Sequence, residues 1–254
     1  MTQAEPATDG RARATVPVDS PPAPGRAPDE GSERDGTGLA GAAGSAGKTA
    51  LAEETARPAA LPPGQRIPRV WPVMHYGPVP TFRPETWDLC VYGATACGGE
   101  VRWDWAAVSA IPRVHIVADM HCVTKFTITD VAWEGIAAME LLELAPPAPE
   151  VTHVMVWAEY GYSANVPIGV FADDRTLLAT HRDGAQLTPE HGYPVRLVVP
   201  RRYAWKSVKW VRAVEYLTRD RRGFWEERGY HNSADPWREQ RFSYQEEPGE
   251  GPPL

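Results

Sequence analysis

Apolar and polar positions alternate along several short runs of this chain, and helical spacing appears in only two places. Trp87, Leu89 and Val91 alternate with Asp88, Cys90 and Tyr92 and stop at Gly93, which predicts a half-buried strand. Asp104 stands where an N-cap belongs, ahead of WAAVSAI and Pro112, and predicts a short helix. VHIVADM (Val114 to Met120) predicts a strand, and WEGIAAMELLEL (Trp133 to Leu144) an amphipathic helix ended by Pro146 and Pro147. Further strands are predicted at His153 to Glu159, Val195 to Pro200 and Trp210 to Leu217, giving a mixed α+β domain with short strands.

The same patterning is missing from the first quarter of the chain. None of the 10 Trp, 9 Tyr and 5 Phe precedes Trp71, and the early residues are Pro, Gly, Ala, Ser and scattered charge. Such a stretch buries too little apolar surface to offset its ordering entropy. Residues 1–66 are therefore expected to be a disordered tail, 67–243 a folded domain, and the acidic end 244–254 a frayed terminus. No internal repeat is evident.

Composition narrows the function classes. In 254 residues with net charge −7 there is no run of about 18 apolar residues, so no transmembrane segment is expected, and the acidic balance speaks against general nucleic-acid binding. Three cysteines, Cys90, Cys97 and Cys122, are too few for a disulfide framework and lack the CxxC spacing of a structural zinc site. MTQAEPATDG shows neither a secretory nor a twin-arginine export pattern, which makes the cytoplasm the expected compartment.

Four segments carry candidate chemistry. HYGPVP (His75 to Pro80) is a rigid turn with two polar rings, and YGYSANVP (Tyr160 to Pro167) reads as a glycine-tyrosine loop. DMHCVTKFT (Asp119 to Thr127) sets a cysteine just past a strand, beside His121, Thr124 and Lys125; a neighbouring cation favours thiolate, the form that binds metal. In HGYPVRLVVPRRYAWKSVKWVRAVEYL, cations interleave with Trp205 and Trp210. From Arg196 to Arg228 there are ten Lys/Arg against four Asp/Glu, which predicts an anionic, phosphate-bearing ligand. A zinc hydrolase using Cys122, His121 and His191 lacks the usual ligand spacing.

Taken in order, HYGPVP, HCVTKF, the helix beginning WEG, GYSANVP, HGYPVRLVVP, WKSVKWV, GFWEERGYH and DPWREQRF resemble the molybdopterin-binding domain of the sulfite oxidase family, over roughly Pro68 to Phe242. The resemblance implies that family's mixed sheets and short helices, and a pyranopterin dithiolene cofactor carrying molybdenum, with Cys122 as the protein ligand to the metal. It implies that His191, Arg196, Ser207, Val208 and Lys209 hold the pterin and its phosphate, that His75 and Tyr76 form a turn over the cofactor, and that Tyr162 and Lys125 face the substrate oxygen. Short bacterial members commonly carry Arg at the position of Lys125 and Trp at that of Phe126; lysine keeps the charge without the planar fork.

The expected activity is two-electron oxygen-atom transfer, sulfite oxidase-like, on a small sulfur or nitrogen oxyanion or oxide. The expected partners are a small-molecule oxygen donor or acceptor and a separate electron-transfer protein such as a cytochrome, because the chain has no room for the haem and dimerisation domains of animal sulfite oxidases. The competing expectation is a non-catalytic molybdopterin-binding subunit of a larger redox complex.

Overall fold

Residues 60–253 are described by the structure, a computed structural model; positions 1–59 of the expected tail lie outside the described residues. The chain runs β1 (Asp88–Gly93), β2 (Val101–Asp104), α1 (Trp105–Ala110), β3 (Val114–Cys122), β4 (Phe126–Ala137), α2 (Ala138–Leu144), β5 (His153–Ala158) and β6 (Ser163–Pro167). It continues through α3 (Ile168–Phe171), β7 (Leu177–Arg182), β8 (Ala185–Gln186), β9 (Arg196–Val198) and β10 (Val211–Leu217). One five-stranded sheet has the order β2-β1-β10-β5-β6, with β1 and β10 parallel; the other has the order β3-β4-β7-β8, with β9 also paired to β7. This is the mixed-sheet α+β architecture expected from the sequence.

Local signals account for most elements. The Asp104 side chain accepts the Ala107 amide at 2.8 Å and caps α1 as predicted. The first sheet supplies Leu89, Val91, Val154, Val156 and Val214 to the main core, where Val108, Leu141 and Phe171 of the three helices meet them. The second sheet is buried on both faces. Ile136, Leu178 and Leu197 enter the main core, while Trp133, Leu177, Ala179 and Val198 form a second cluster with Met120. Strands covered on both sides lose polar alternation, which is why LLATHR of β7 and SANVP of β6 did not announce themselves.

The helix expected over Trp133 to Leu144 is corrected: Trp133 to Ala137 finish the long strand β4, and only Ala138 to Leu144 are helical. The cause lies at Gly135. A Cβ placed there would stand 2.1 Å from the Leu178 carbonyl oxygen and 2.5 Å from the Ala179 Cα, so β4 and β7 approach at a point only glycine permits.

Both expected boundaries also move. Arg66 bridges the start of β4, its amide donating to the Lys125 carbonyl at 3.1 Å and its carbonyl accepting the Thr127 amide at 2.9 Å. Residues 60–66 thus include docked chain instead of tail. At the other end, the expected fraying is replaced by packing. Buried Arg222 donates Nη1 and Nη2 to the two Glu246 carboxylate oxygens, at 2.9 and 2.6 Å, and Nε to the Pro252 carbonyl at 2.8 Å. Removing Glu246 would strand the buried Arg222 charge. Among the described residues no helix is long and apolar enough to cross a membrane.

Gly135→Ala is expected to destabilise the protein by about 3 kcal/mol, since backbone and not a flexible side chain must yield. Gly169→Ala, where an added Cβ meets nothing within 4 Å, should be near neutral. Denaturant midpoints of the two variants check this, and equal midpoints would refute the close-approach argument.

Candidate active site

Cys122 is the last residue of β3, where the hairpin to β4 turns through Val123, Thr124 and Lys125. The turn closes by the Lys125 amide donating to the Cys122 carbonyl at 3.1 Å, with Lys125 in the left-handed region at φ 71°. Gln65 Nε2 donates to the same carbonyl at 3.1 Å. The thiol is thereby held at a fixed point, 3.1 Å from Thr124 Oγ1 and 3.9 Å from Met74 Sδ.

It faces a cavity of about 520 Å³ whose lining includes His75, Tyr76, Cys122, Tyr162, Arg196, Ser207 and Lys209. Seven of the residues expected at the site therefore share one space, although they come from distant parts of the chain. Three do not join them. Lys125 is exposed on the hairpin tip and is not among the lining residues, because the left-handed turn carries its side chain to the outer surface. Val208 is fully buried in the main core, with its carbonyl accepting the Leu197 amide at 2.7 Å. His191 stands behind the lining, its ring edge-on to Trp71 at 5.3 Å.

The cationic wall has few acceptors within the protein. Arg196 is 2% exposed; Nη1 donates to the His191 carbonyl at 3.1 Å and Nη2 to the Ser207 carbonyl at 3.2 Å, and among the described residues it has no carboxylate partner and Nε has no acceptor. Burial, with the charge of Arg182 nearby, lowers its pKa to about 9. Lys209 Nζ donates to the carbonyls of Met74 and Glu190 at 2.7 and 2.6 Å, and burial next to Arg196 brings its pKa down to about 7. Burial, then the cations Arg182, Lys209 and Arg196, pull His191 down to about 4, so the imidazole is neutral at physiological pH. Adding a dianion to such a site would relieve the desolvated charges, which is the electrostatic preference expected of a phosphate pocket.

Tyr162 supplies a phenol to the floor. Its hydroxyl donates to the Trp205 carbonyl at 2.6 Å, and burial, with Glu226 and Tyr230 adding, raises its pKa well above the ordinary tyrosine value. The phenol stays protonated, with its proton directed at Trp205 and its lone pairs available. Beneath it, Lys206 Nζ meets Glu226 Oε1 at 2.5 Å and the Asn165 side-chain and main-chain oxygens at 2.6 and 2.9 Å; Trp205 Nε1 donates to the same Glu226 oxygen at 2.9 Å.

Sequence reading alone did not assign the aromatic and thioether walls. Trp71, Met74, Met120, Trp205, Trp225 and Tyr230 all line the cavity, and Gln65 positions the Cys122 carbonyl. Trp71 and Met74 sit immediately before His75, and Trp225 and Tyr230 lie within GFWEERGYH, so the segments were visible even where the roles were not. Among the described residues no group of three His, Cys, Asp or Glu side chains could hold a metal ion, which leaves Cys122 without the companions a zinc hydrolase needs. A thiol as the single protein donor, opposite a buried guanidinium with an unused N–H, fits a cofactor that brings its own metal ligands and an anionic end.

The chain is similar to several known proteins. Over 199 residues the chain is 38% identical to an uncharacterized oxidoreductase, YuiH, of Bacillus subtilis (strain 168), covering 78% of this chain and 98% of that one. It is 26% identical to the catalytic subunit MsrP of a protein-methionine-sulfoxide reductase of Gluconobacter oxydans (61% and 56% covered), and 26% identical to human mitochondrial sulfite oxidase (60% and 33% covered). The fold resembles that of the sulfane dehydrogenase SoxCD from Paracoccus pantotrophus, with a TM-score of 0.51 and 22% identity over 57% of this chain and 41% of that one. The family described as the oxidoreductase molybdopterin binding domain matches residues 76–225, a span that includes both sheets and every wall of the cavity except the stretch from Trp71 to His75 and Tyr230. With both sheets and most of the cavity wall inside that match, the chain belongs to the oxidoreductase molybdopterin-binding family.

Proposed function

We propose that this family member is a molybdenum enzyme catalysing two-electron oxygen-atom transfer on a small sulfur or nitrogen oxyanion or oxide, with Cys122 as the protein ligand to the metal of its pterin cofactor. One observation carries the reading: a fixed thiol and a buried guanidinium with an unused donor line the same cavity. When bound, the cofactor supplies the two-electron couple and the exchange of an oxygen atom with water. In the reducing direction the balance is oxide, two electrons and two protons in, and reduced product and water out; sulfite oxidation runs the balance the other way. Electrons enter or leave through a separate redox protein of the cytochrome class.

The chain's own residues have distinct tasks. Gln65 and the hairpin turn hold the Cys122 backbone, which sets the point from which the sulfur is presented. Arg196 and Lys209 hold the anionic end of the cofactor, with Ser207 fixed behind them by its Oγ accepting the Val199 amide at 3.0 Å. His75, with its Nδ1 at 2.9 Å from the Gly77 carbonyl, and Tyr76 close over the opening. Tyr162 stays neutral and accepts a hydrogen bond from a protonated oxygen; donating to a substrate oxygen requires it to release the Trp205 carbonyl. Lys125 is left out of this set, since it faces solvent.

The reading is tested by purifying the protein from cells supplied with molybdenum, measuring metal and pterin per chain, and screening sulfite, S-oxides and N-oxides with artificial electron acceptors and donors. Turnover with near-stoichiometric molybdenum is the expected result. A fully loaded protein without turnover would favour the non-catalytic subunit, and a protein carrying neither metal nor pterin would refute the reading.

Cys122→Ser should fold and retain pterin, with stability changed by about 1 kcal/mol, yet lose turnover, because a hard hydroxyl replaces a soft sulfur donor. X-ray absorption at the metal should count fewer sulfur neighbours, and an active variant would sink the assignment. Cys90→Ser and Cys97→Ser should leave activity nearly unchanged.

Arg196→Gln and Lys209→Met should each lower pterin content. Their pH signature is checked with sulfate, whose charge is constant above pH 3 or so. With Lys209 protonated only below about 7, sulfate binding to the cofactor-free protein should weaken as pH rises through 7, and Lys209→Met should flatten that dependence in calorimetric titrations.

A further inference from the structure

The stretch from Arg66 to Tyr76 runs from the start of β4 and returns to the hairpin that carries Cys122. At one end the Arg66 amide donates to the Lys125 carbonyl at 3.1 Å, and further along Met74 Sδ stands 3.9 Å from Thr124 Oγ1. Between them Trp71 turns inward, edge-on to Trp133 and beneath the Arg182 guanidinium. Its neighbours turn out. Ile67 is 62% exposed and Val70 79%, and Val73, Met74 and Tyr76 are each about half exposed. Five of the thirteen large apolar side chains exposed among the described residues thus fall within ten positions. Such a concentration marks contact with something outside the chain.

The charge of this face is equally one-sided. No Asp or Glu occurs between Glu54 and Glu85, or between Asp119 and Asp130, although the whole chain has a net charge of −7. Arg66, Arg69 and Lys125 are exposed, and among the described residues none of the three has a carboxylate partner. Glu239, which an added Cβ at Gly64 would meet at 3.3 Å, already faces Arg241 at 3.5 Å. By contrast Arg102, Arg221 and Arg238 are each paired with a carboxylate.

Residue chemistry distinguishes between occupants. The side chains that dominate protein–protein contacts are Trp, Tyr and Arg, with Val under-represented. Here the one tryptophan of the stretch points inward, and branched aliphatic groups stand outside beside uncancelled cations. That mixture suits the boundary of a bilayer, where aliphatic groups enter the acyl layer and cations stay among anionic headgroups. Pro68 and Pro72 fix φ within the stretch, so little backbone freedom is lost on contact.

We propose that Arg66, Ile67, Arg69, Val70 and Val73, with Lys125 at the hairpin tip, form a docking surface for an anionic phospholipid membrane. Met74 and Tyr76 belong both to this face and to the cavity lining, so docking sets the cavity opening at the lipid headgroups. The surface stands on exposure and charge, independently of the cofactor reading.

The test sediments the full-length protein with vesicles of equimolar phosphatidylglycerol and phosphatidylcholine, and with vesicles of phosphatidylcholine alone, over a range of salt. Binding to the first should weaken as salt rises, and binding to the second should be slight. Each cation near an anionic surface strengthens partition about fivefold, so Arg66→Gln, Arg69→Gln and Lys125→Gln combined should weaken it about a hundredfold. Val70→Ser should weaken it about tenfold through lost apolar burial. Arg102→Gln, at a cation that Asp88 and Glu100 already cancel, should bind like wild type. Melting temperatures report whether each variant folds, and the three charge variants taken singly, about fivefold each, serve if the triple variant does not.

Wild-type protein left in the supernatant at low salt, or vesicle binding that survives the triple replacement, would overturn the proposal. Equal loss in Arg102→Gln would show a diffuse charge effect and overturn it as well. A concentration-dependent dimer that Val70→Ser disrupts, without vesicle binding, would overturn it in favour of a second copy of the chain.

Discussion

Three segments distant in the chain meet at one buried ammonium. Lys206 joins Asn165 of β6, the turn that carries Trp205, and Glu226 beyond β10, and both charges are shielded from solvent at 2% and 0% side-chain exposure. Removing either partner of such a pair strands the other charge in a dry interior, at a cost on the order of 3–5 kcal/mol. The geometry above depends on it. Trp205 Nε1 shares the Glu226 oxygen, the Trp205 carbonyl takes the Tyr162 proton, and the Gly223 backbone packs so closely on Ala164 and Ser163 that a Cβ there would stand 2.7 Å from the Ala164 Cα. The cavity floor is thus a polar network that allows little play.

The walls differ in kind from the floor. On one side a thiol sits among thioether and aromatic groups, with Met74, Thr124 and Phe126 near it; on the other, Arg196 and Lys209 are held by main-chain carbonyls instead of carboxylates. Carbonyls orient a cation without cancelling its charge. A carboxylate would have satisfied the site within the protein and removed its affinity for an anion. Burial, with a neighbouring guanidinium in each case, accordingly lowers the pKa of Arg196 and of Lys209, the latter only partly offset by Glu190.

Local patterning was enough to place much of the framework. Alternation located β1, β3, β5, β9 and β10, and Asp104 announced α1, because each of these is decided by neighbours within a few residues. Where two-sided burial erased alternation in β7, and where a helical-looking spacing ran into a strand from Trp133 to Ala137, the deciding contact was between β4 and β7, some forty positions apart. Arg222 likewise ordered the acidic terminus through Glu246, a pairing that no local signal predicts.

The division is similar at the site. By itself the sequence determined which residue types were available: a cysteine at a strand end, cations interleaved with tryptophans, a tyrosine in GYSANVP and an aromatic-free first quarter of the chain. Only the tertiary structure decided which of them share a space. It brought Cys122, Tyr162, Arg196 and Lys209 to one cavity, turned Lys125 outward and buried Val208. The reason is physical: residue chemistry is a local property, whereas side-chain direction is set by strand register and bulges, which depend on the partner strand.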